Sequence, residues 1–317
     1  MSPVPGSETP RVAVLIPCRN EARTIAGVVQ GFRQALPTAT IYVYDNGSTD
    51  RTAEQAAAAG AVVRQESLPG KGNVVRRMFA DVEADVYVLC DGDGTYPAEA
   101  APAMVARIQG ECLDMVTAVR VSGEAAAVYR PGHRFGNRFL TGMVARLFGD
   151  RFNDMLSGYR AFSRRFVKSF PALSRGFEIE TELTVHCLEL RLPVAEIEVA
   201  YAARPPGSSS KLRTLRDGLR IFAAIVLLLK EVRPLFFFGI AFMVLALSAL
   251  VLAWPLFVTY METGLVPRFP TAILVTGLML LAFIALFSGI ILDSISRGRR
   301  EMKRTRYLSI PGPAGPP

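Results

Sequence analysis

The stretch Val86-Tyr87-Val88-Leu89-Cys90-Asp91-Gly92-Asp93 decides the fold. Its first five residues form an apolar run rich in strand-forming residues, which predicts a buried β-strand. Asp91 and Asp93 follow at once and therefore lie at the carboxyl end of that strand, where open α/β sheets bind ligands. Two carboxylates one residue apart can share a divalent cation with a diphosphate, and Gly92 lets the backbone turn between them. The alternative is a solvated turn, because Asp and Gly are ordinary turn residues.

Strand-like and helix-like segments alternate through the first half of the chain. Short apolar runs predict strands at Val12–Ile16, Ile41–Tyr44, Ala61–Arg64, Val86–Cys90 and Met115–Ala118. The intervening segments predict helices at Thr24–Leu36, Thr49–Ala59, Gly72–Val82 and Ala98–Ile108. Such alternation is typical of an α/β fold, with a mostly parallel sheet and helices on both faces. Beyond Arg120 the alternation loosens, and helices are predicted up to Phe148, at Arg164–Leu173 and at Glu180–Leu190.

Polar residues follow three of the predicted strands. Pro17-Cys18-Arg19-Asn20-Glu21 follows the first, Asp45-Asn46-Gly47-Ser48-Thr49-Asp50 the second, and Asp91-Gly92-Asp93 the fourth. The carboxyl ends of parallel strands meet at one edge of a sheet, so these groups are expected to form one site. Lys71, in Gly70-Lys71-Gly72, enters a predicted helix, where an anion can be held. A solvated loop lysine is the alternative explanation for Lys71.

Two later segments are long and apolar enough to cross a membrane. Leu235–Ala253 contains no charged residue over 19 positions, and Ala272–Leu292 contains none over 21. A helix of about 20 such residues spans a hydrocarbon core. Two buried helices of a soluble protein are the alternative. Leu212–Val232 is amphipathic at first and then wholly apolar, which predicts a helix lying in the membrane interface, with a core helix of the soluble domain as the alternative.

The net charge of +8 is concentrated beside these segments. Arg204–Arg233 holds seven Lys/Arg and two acids, net +5, and Arg297–Arg306 holds six Lys/Arg and one acid, net +5. The remainder has 23 bases against 25 acids, which argues against a nucleic-acid-binding surface. The connection between the apolar segments carries only Glu262 and Arg268. The positive-inside rule therefore predicts a multi-pass protein whose termini and first 230 residues are cytoplasmic.

These features predict five parts of the chain: a disordered N-terminus (1–10), an α/β domain (11–210), a juxtamembrane amphipathic helix (211–233), two transmembrane helices (234–293) and a basic cytoplasmic tail (294–317). Met1–Pro10 is polar and rich in proline, unlike a signal peptide. The four cysteines lack the spacing of metal ligands and are predicted to be reduced thiols of a cytosolic domain.

The motifs taken in order resemble glycosyltransferase family 2, whose catalytic domain has the GT-A fold. The resemblance rests on Ile16-Pro17 with Asn20-Glu21, Asp45 with Gly47-Ser48-Thr49-Asp50, Gly70-Lys71-Gly72 and Asp91-Gly92-Asp93. Asp154–Arg160 and Arg204–Leu212 resemble the polyprenyl-phosphate glycosyltransferases, the branch that includes dolichol-phosphate mannose synthase. The two apolar C-terminal segments are similar to those of bacterial members that load glucose or related sugars onto undecaprenyl phosphate.

The resemblance implies a donor site at the sheet edge. The nucleoside-diphosphate sugar, linked to UDP or GDP, would be bound by Pro17, Asn20, Glu21, Asp45, Lys71 and Asp91. Asp91 and Asp93 would be catalytic and hold Mg²⁺ or Mn²⁺, which offsets the charge that develops on the leaving diphosphate. Family members often continue this motif with a Gln that joins the metal shell. This chain has Gly94-Thr95-Tyr96 there, so Thr95 or a water is expected as the third ligand.

The implied acceptor is polyprenyl phosphate drawn from the lipid bilayer. A phosphate monoester is already anionic near neutral pH, so it needs cations rather than a general base. The candidates to bind it are Arg130, Arg134, Arg204 and Lys211, with surface charge as an equal explanation for the first two. Asp154, a further catalytic candidate, would orient Arg160 or the acceptor, or would form a structural salt bridge. Glu178 and Glu180 are additional candidates to face the site.

The sequence therefore predicts an inverting, metal-dependent hexosyltransferase of the inner membrane that makes a polyprenyl-phosphate sugar for cell-envelope glycans or glycoconjugates. The resemblance also implies a homo-oligomer, a tetramer. One alternative is a processive polysaccharide synthase of the same fold, which usually carries more membrane helices. The other is a non-catalytic membrane scaffold, against which the intact Asp91 and Asp93 argue. Glucose, N-acetylglucosamine and mannose donors all remain open.

Overall fold

The computed structural model describes residues 10–121, 142, 152–202 and 214–313. The chain forms two compact units. The first comprises Met1–Ala224 together with Lys303–Pro317, and the second comprises Ile225–Met302. The helix predicted up to Phe148 lies outside the described residues, apart from the helical Gly142.

The first unit is built on one mixed sheet of seven strands. They are β1 (Val12–Cys18), β2 (Thr40–Asp45), β3 (Val62–Gln65), β4 (Val86–Leu89), β5 (Met115–Val121), β6 (Arg160–Ser163) and β7 (Val194–Ala200). Their order across the sheet is β3-β2-β1-β4-β6-β5-β7. Strand β6 runs antiparallel to β4 and β5, and the other pairings are parallel. The predicted α/β fold with a mostly parallel sheet is confirmed, and β6 and β7 are additions to the five predicted strands.

Helices connect the strands and cover both faces of the sheet. They are α1 (Ile25–Ala35), α2 (Thr52–Ala58), α3 (Lys71–Asp81), α4 (Ala101–Gly110), α5 (Arg164–Ser169) and α6 (Ile179–Leu190). A further helix, α7 (Thr214–Val232), follows β7 in the chain. Helix α2 begins three residues later than predicted, because Ser48 and Asp50 use their side chains in the preceding loop. Helix α5 ends at Ser169 rather than Leu173, since Pro171 follows and disfavours helix at the residue before it.

Side-chain alternation along β1 divides the core into two apolar layers. Val14 and Ile16 point into a layer shared with α1 and α4, where Phe32 is fully buried. Leu15 points into the opposite layer, which is filled from α3, α5 and α6 by side chains such as Phe166. Each large apolar side chain buried in this way contributes roughly 1.5–3 kcal/mol, so both layers stabilise the sheet that carries the polar strand ends.

The second unit is dominated by two long apolar helices, α8 (Pro234–Thr263) and α9 (Phe269–Leu308). Both are candidate membrane spans by length and composition, and their apolar side chains are mostly exposed. They pack closely where Gly289 lies against Phe238, since a Cβ at Gly289 would be 2.9 Å from the Phe238 Cβ. Ser296 and Arg300 donate to the Val232 carbonyl at 3.4 Å, which satisfies the C-terminal end of α7.

The segment from Lys303 onward is part of the first unit. The Tyr307 hydroxyl donates to Asp114 at 2.6 Å, and Asp114, which is fully buried, also accepts from Ser163 at 2.7 Å and from Arg165 at 2.8 Å. The Arg165 guanidinium lies 4.6 Å from the centroid of the Tyr307 ring. Lys303 pairs with Glu189 at 2.8 Å. The chain predicted as a basic tail is therefore helical to Leu308 and contributes Tyr307 to the apolar layer around Phe166.

We expect Tyr307→Phe to lower the free energy of unfolding by about 1.5–3 kcal/mol, because it removes a hydrogen bond to a buried carboxylate. Tyr260→Phe is the matched control, since Tyr260 is exposed on α8. Thermal unfolding of the full chain in detergent, followed by circular dichroism, measures both. Equal unfolding midpoints for Tyr307→Phe and the wild type would contradict a stabilising role for this C-terminal contact.

Candidate active site

The polar residues that follow β1, β2 and β4 meet at the carboxyl edge of the sheet. These three strands are adjacent, with β1 between β2 and β4. Asp45 ends β2, and the Asn46 amide donates to the Cys18 carbonyl of β1 at 2.9 Å. Asp93, just beyond β4, is 4% exposed. The prediction that the strand ends share one edge agrees with this geometry.

Lys71 connects two carboxylates at this edge. Its ammonium lies 2.5 Å from Asp91 and 2.6 Å from Glu180, and its side chain is only 8% exposed. Burial alone would lower the pKa of Lys71, but the two carboxylates outweigh it and raise that pKa. Burial raises the pKa of Asp91, as do the charges of Asp93 and Glu180, while Lys71 opposes the shift. The ammonium thus contacts two acids, and Asp93 lies close enough to Asp91 to add its negative charge, so acids outnumber cations at this edge.

Close backbone packing fixes the position of Lys71. Gly70 adopts a φ of 122°, and a Cβ there would lie 2.2 Å from the Arg175 carbonyl oxygen. A Cβ at Gly72 would lie 2.2 Å from the Ser174 carbonyl oxygen. A side chain at either glycine would therefore push this backbone apart. The sequence Gly-Lys-Gly is thus explained by the close approach of a second loop to the start of α3.

Two polar side chains hold those loops in place. The side-chain nitrogen of Asn46 donates to the carbonyls of Glu66 and Leu68 at 2.8 Å, and its side-chain oxygen accepts from the backbone amide of Gly70 at 2.8 Å. On the opposite side, the Glu182 carboxylate accepts from the amides of Leu173 and Ser174 at 2.9 and 2.8 Å. Glu182 lies two residues beyond Glu180 on α6, so one helix positions both the ion pair and the covering loop.

Asp93 is held by its own turn. The Thr95 hydroxyl donates to Asp93 Oδ1 at 2.6 Å, and the Thr95 amide donates to the same oxygen at 3.2 Å. The carbonyl of Gly92 accepts from the Thr24 hydroxyl at 2.7 Å, which ties this turn to the start of α1. The carboxylate of Asp93 is therefore oriented by local hydrogen bonds.

The predicted nucleotide side of the site is a network between the loops after β1 and β2. Asp45 accepts a hydrogen bond from the Ser48 hydroxyl, and Ser48 in turn accepts from the Asn20 amide at 2.9 Å. Asn20 has a φ of 54° and accepts from the Thr49 amide at 2.7 Å. Glu21 is buried beside this network. Pro17 lies within β1, paired with β2.

Asp154 forms a structural salt bridge, one of the alternatives that the sequence left open. Both of its oxygens accept from Arg120, at 2.6 and 2.8 Å. Arg160 is fully buried and bonds elsewhere, to the carbonyls of Ser157 and Met155 and to Thr184. Asp154 thus orients Arg120. The four acceptor candidates, Arg130, Arg134, Arg204 and Lys211, lie outside those residues.

The sequence did not point to Tyr201 or Arg120 as residues near the site. It pointed to Glu180 but not to the ion pair of Glu180 with Lys71. Burial raises the pKa of Tyr201, and the nearby charges of Asp93 and Asp91 add to the shift. Arg120 lies 5.5 Å from the centroid of the Tyr201 ring. Tyr201 directly follows β7, so predicting that strand would have placed the residue at the same edge of the sheet.

The carboxylate oxygens at this edge of the sheet suit a divalent cation that a bound ligand also coordinates. Across the described ranges, no group of three or more His, Cys, Asp or Glu side chains forms a complete metal site. Asp91 and Asp93 carry carboxylate oxygens, the kind of atom that hard cations prefer, and Glu180 adds a further negative charge nearby. Mg²⁺ is commonly held by one or two carboxylates, with substrate phosphates and waters completing its shell. The residues present fit that kind of site.

Comparisons with known proteins identify the class. The model of the family described as "Glycosyl transferase family 2" matches residues 13–170. Glycosyltransferase AglJ of Haloferax volcanii is 36% identical over 310 residues, which are 94% of this chain and 98% of that protein. The dolichyl-phosphate hexose transferase of the same organism is 27% identical over 222 residues, 70% of this chain and 95% of that protein.

The fold has solved counterparts. Glucosyl-3-phosphoglycerate synthase from Mycobacterium tuberculosis, crystallised with Mn²⁺, UDP and phosphoglyceric acid, aligns with a TM-score of 0.57 and 24% identity, covering 69% of this chain and 78% of that chain. The α/β domain is accordingly a GT-A-like glycosyltransferase fold. The chain belongs to glycosyl transferase family 2.

We expect Lys71→Met to destabilise the protein by about 3 kcal/mol, because it leaves the buried carboxylate of Glu180 without its cation. Adding Glu180→Gln to Lys71→Met should recover part of the loss, since one buried charge is then removed. Arg77→Met is the control, because Arg77 pairs with Asp81 on an exposed surface. Unfolding in urea measures all four proteins, and a double variant no more stable than Lys71→Met would contradict the coupling.

Proposed function

We propose that this protein transfers a hexose from a nucleoside-diphosphate sugar to polyprenyl phosphate, with inversion at the anomeric carbon. The observation that carries the proposal is the Lys71-centred cluster with Asp91 and Asp93 at the carboxyl edge of the sheet. The full-length similarity to AglJ and the name of the dolichyl-phosphate hexose transferase support it. The candidate membrane spans support an acceptor that resides in a bilayer.

The donor diphosphate would bind where α3 begins. Lys71 is the first residue of α3, and its ammonium, which contacts Asp91 and Glu180, has a third N–H that would bind a phosphate oxygen. Asp45, Asn20, Glu21 and Pro17 would contact the base and ribose. Asp91 and Asp93 would hold Mg²⁺ or Mn²⁺, which when bound offsets the negative charge of the departing nucleoside diphosphate. The fold of the mycobacterial enzyme crystallised with Mn²⁺ and UDP supports such a site.

The acceptor phosphate would be oriented by cations. We propose Arg204 and Lys211 for this role, with Arg130 and Arg134 as further candidates, because guanidinium and ammonium groups bind phosphate strongly. A phosphate monoester near neutral pH is already a nucleophile, so no residue needs to remove a proton. In-line attack on the anomeric carbon forms the new C–O bond as the bond to the diphosphate breaks, which inverts that centre.

The direct test is transfer of label into lipid. The full-length protein, in bilayer nanodiscs containing undecaprenyl phosphate, is given labelled UDP-glucose, UDP-N-acetylglucosamine or GDP-mannose, with Mn²⁺ or with chelator. We expect one donor to label an organic-extractable product, only with metal. Asp93→Asn should lower the rate by about 100-fold or more. The change would weaken binding of the cation that offsets the negative charge of the leaving diphosphate. Glu54→Gln, at an exposed position on α2, is the control.

The products also separate the alternatives. A water-soluble polymer from the same donors would favour a polysaccharide synthase. Absence of turnover with every donor would favour a scaffold. Full activity of Asp93→Asn, or full activity in chelator, would contradict the assignment of the metal site.

We propose further that the sheet domain faces the cytoplasm from the inner membrane, because both basic segments flank the apolar helices on the same side. The test is labelling of intact cells with a membrane-impermeant maleimide. Cys18, Cys90 and Cys187 are buried, so the exposed Cys112 is first changed to Ser. We expect Thr263→Cys to be labelled and Glu301→Cys to be protected. The opposite pattern would show an inverted topology.

A further inference from the structure

Thr95 fixes the orientation of Asp93. The hydroxyl and the amide of Thr95 both donate to the same oxygen, Asp93 Oδ1, at 2.6 and 3.2 Å. Thr95 is 1% exposed and Asp93 is 4% exposed, so little water competes for these bonds. Rotation of the carboxylate would break two hydrogen bonds in a buried setting, where unmet groups are costly.

Tyr201 lies beside Thr95, since the amide of the next residue, Ala202, donates to the Thr95 carbonyl. The Tyr201 phenol is hydrogen-bonded to the side chain of Thr95. The Thr95 hydroxyl therefore contacts both the Tyr201 phenol and the Asp93 carboxylate.

The Tyr201 ring is itself fixed from three sides. The amide of Ala202 donates to the Thr95 carbonyl at 3.0 Å, which anchors the backbone beside the ring. The Tyr96 ring packs at 5.2 Å between centroids, close to edge-to-face. On the remaining side lies the Arg120 guanidinium, which the ion pair with Asp154 holds in place. The phenol is thus held in position to orient the Thr95 hydroxyl.

We propose that Thr95 and Tyr201 are positioning residues for Asp93, acting in series, so that Thr95 serves the divalent cation through Asp93 and not as a direct ligand. This inference rests on the proposed metal site at Asp91 and Asp93. Residues that orient a metal ligand commonly contribute about 10–100-fold to metal affinity. The same range is expected for loss of the Thr95 hydroxyl.

The test is Mn²⁺ binding by the full-length protein, measured by electron paramagnetic resonance with UDP, and with GDP in a second series. Thr95→Val should raise the Mn²⁺ dissociation constant by about 10–100-fold, and Tyr201→Phe by a smaller factor. Thr95→Ser should bind like the wild type, because it keeps the hydroxyl. Thr95→Val combined with Tyr201→Phe should bind no more weakly than Thr95→Val alone, because Tyr201 acts only through Thr95.

Tyr44→Phe is the matched control, since this buried tyrosine bonds to Asp81 and Arg64 away from Asp93. Unfolding midpoints of all variants show whether they are folded. Wild-type affinity in Thr95→Val, or additive losses in the double variant, would overturn the proposal while leaving the metal site intact. Loss of affinity in folded Thr95→Ser would also overturn it. Failure of the wild type to bind Mn²⁺ with either nucleotide would overturn the metal site of the proposed function, and this inference with it.

Discussion

The ammonium of Lys71 holds the buried carboxylate of Glu180 and the partly exposed carboxylate of Asp91 together, and the arrangement of the whole site depends on that contact. Asp91 follows a central strand and Glu180 lies in the first turn of α6, so one side chain ties the sheet to a helix far away in sequence. Removing a cation from such a setting leaves charges that the protein cannot solvate. The same excess of acids makes this edge of the sheet attractive to a divalent cation.

The backbone around Lys71 is shaped to permit this contact. Gly70 and Gly72 allow the loop at Ser174 and Arg175 to approach closer than any side chain would permit. Glu182 and Asn46 then hold the two loops from opposite sides. The result is a fixed ammonium at the start of a helix, a favourable position for a phosphate group.

Local sequence patterns were sufficient to predict β1 to β5 and the acids that follow β1, β2 and β4, because each of these strands contains a short apolar run. They were insufficient for β6, a four-residue strand containing Arg160, which is buried because three groups accept its hydrogen bonds. Strand β7 was missed because Glu196 and Glu198 interrupt its apolar pattern. In both cases tertiary contacts, not local propensity, determine the structure.

Local sequence patterns also cannot predict side-chain contacts between residues that are far apart in the sequence. Glu180 lies 109 residues from Lys71, and Tyr307 lies 193 residues from Asp114. Nothing in either local sequence identifies the other member of the pair. The role of Tyr201 likewise depends on Thr95, which the chain brings beside it only when β7 pairs with β5.

The central claim is that Asp91 and Asp93 bind a divalent cation while Lys71 serves the donor diphosphate. Anomalous scattering from crystals of the full-length protein grown with Mn²⁺ and UDP or GDP tests it most directly. We expect a manganese peak roughly 2.0–2.3 Å from carboxylate oxygens of Asp91 and Asp93, a distance typical of hard cations with oxygen ligands, and the Lys71 ammonium in contact with a phosphate oxygen. A manganese peak remote from both carboxylates, or nucleotide bound away from the start of α3, would contradict the account.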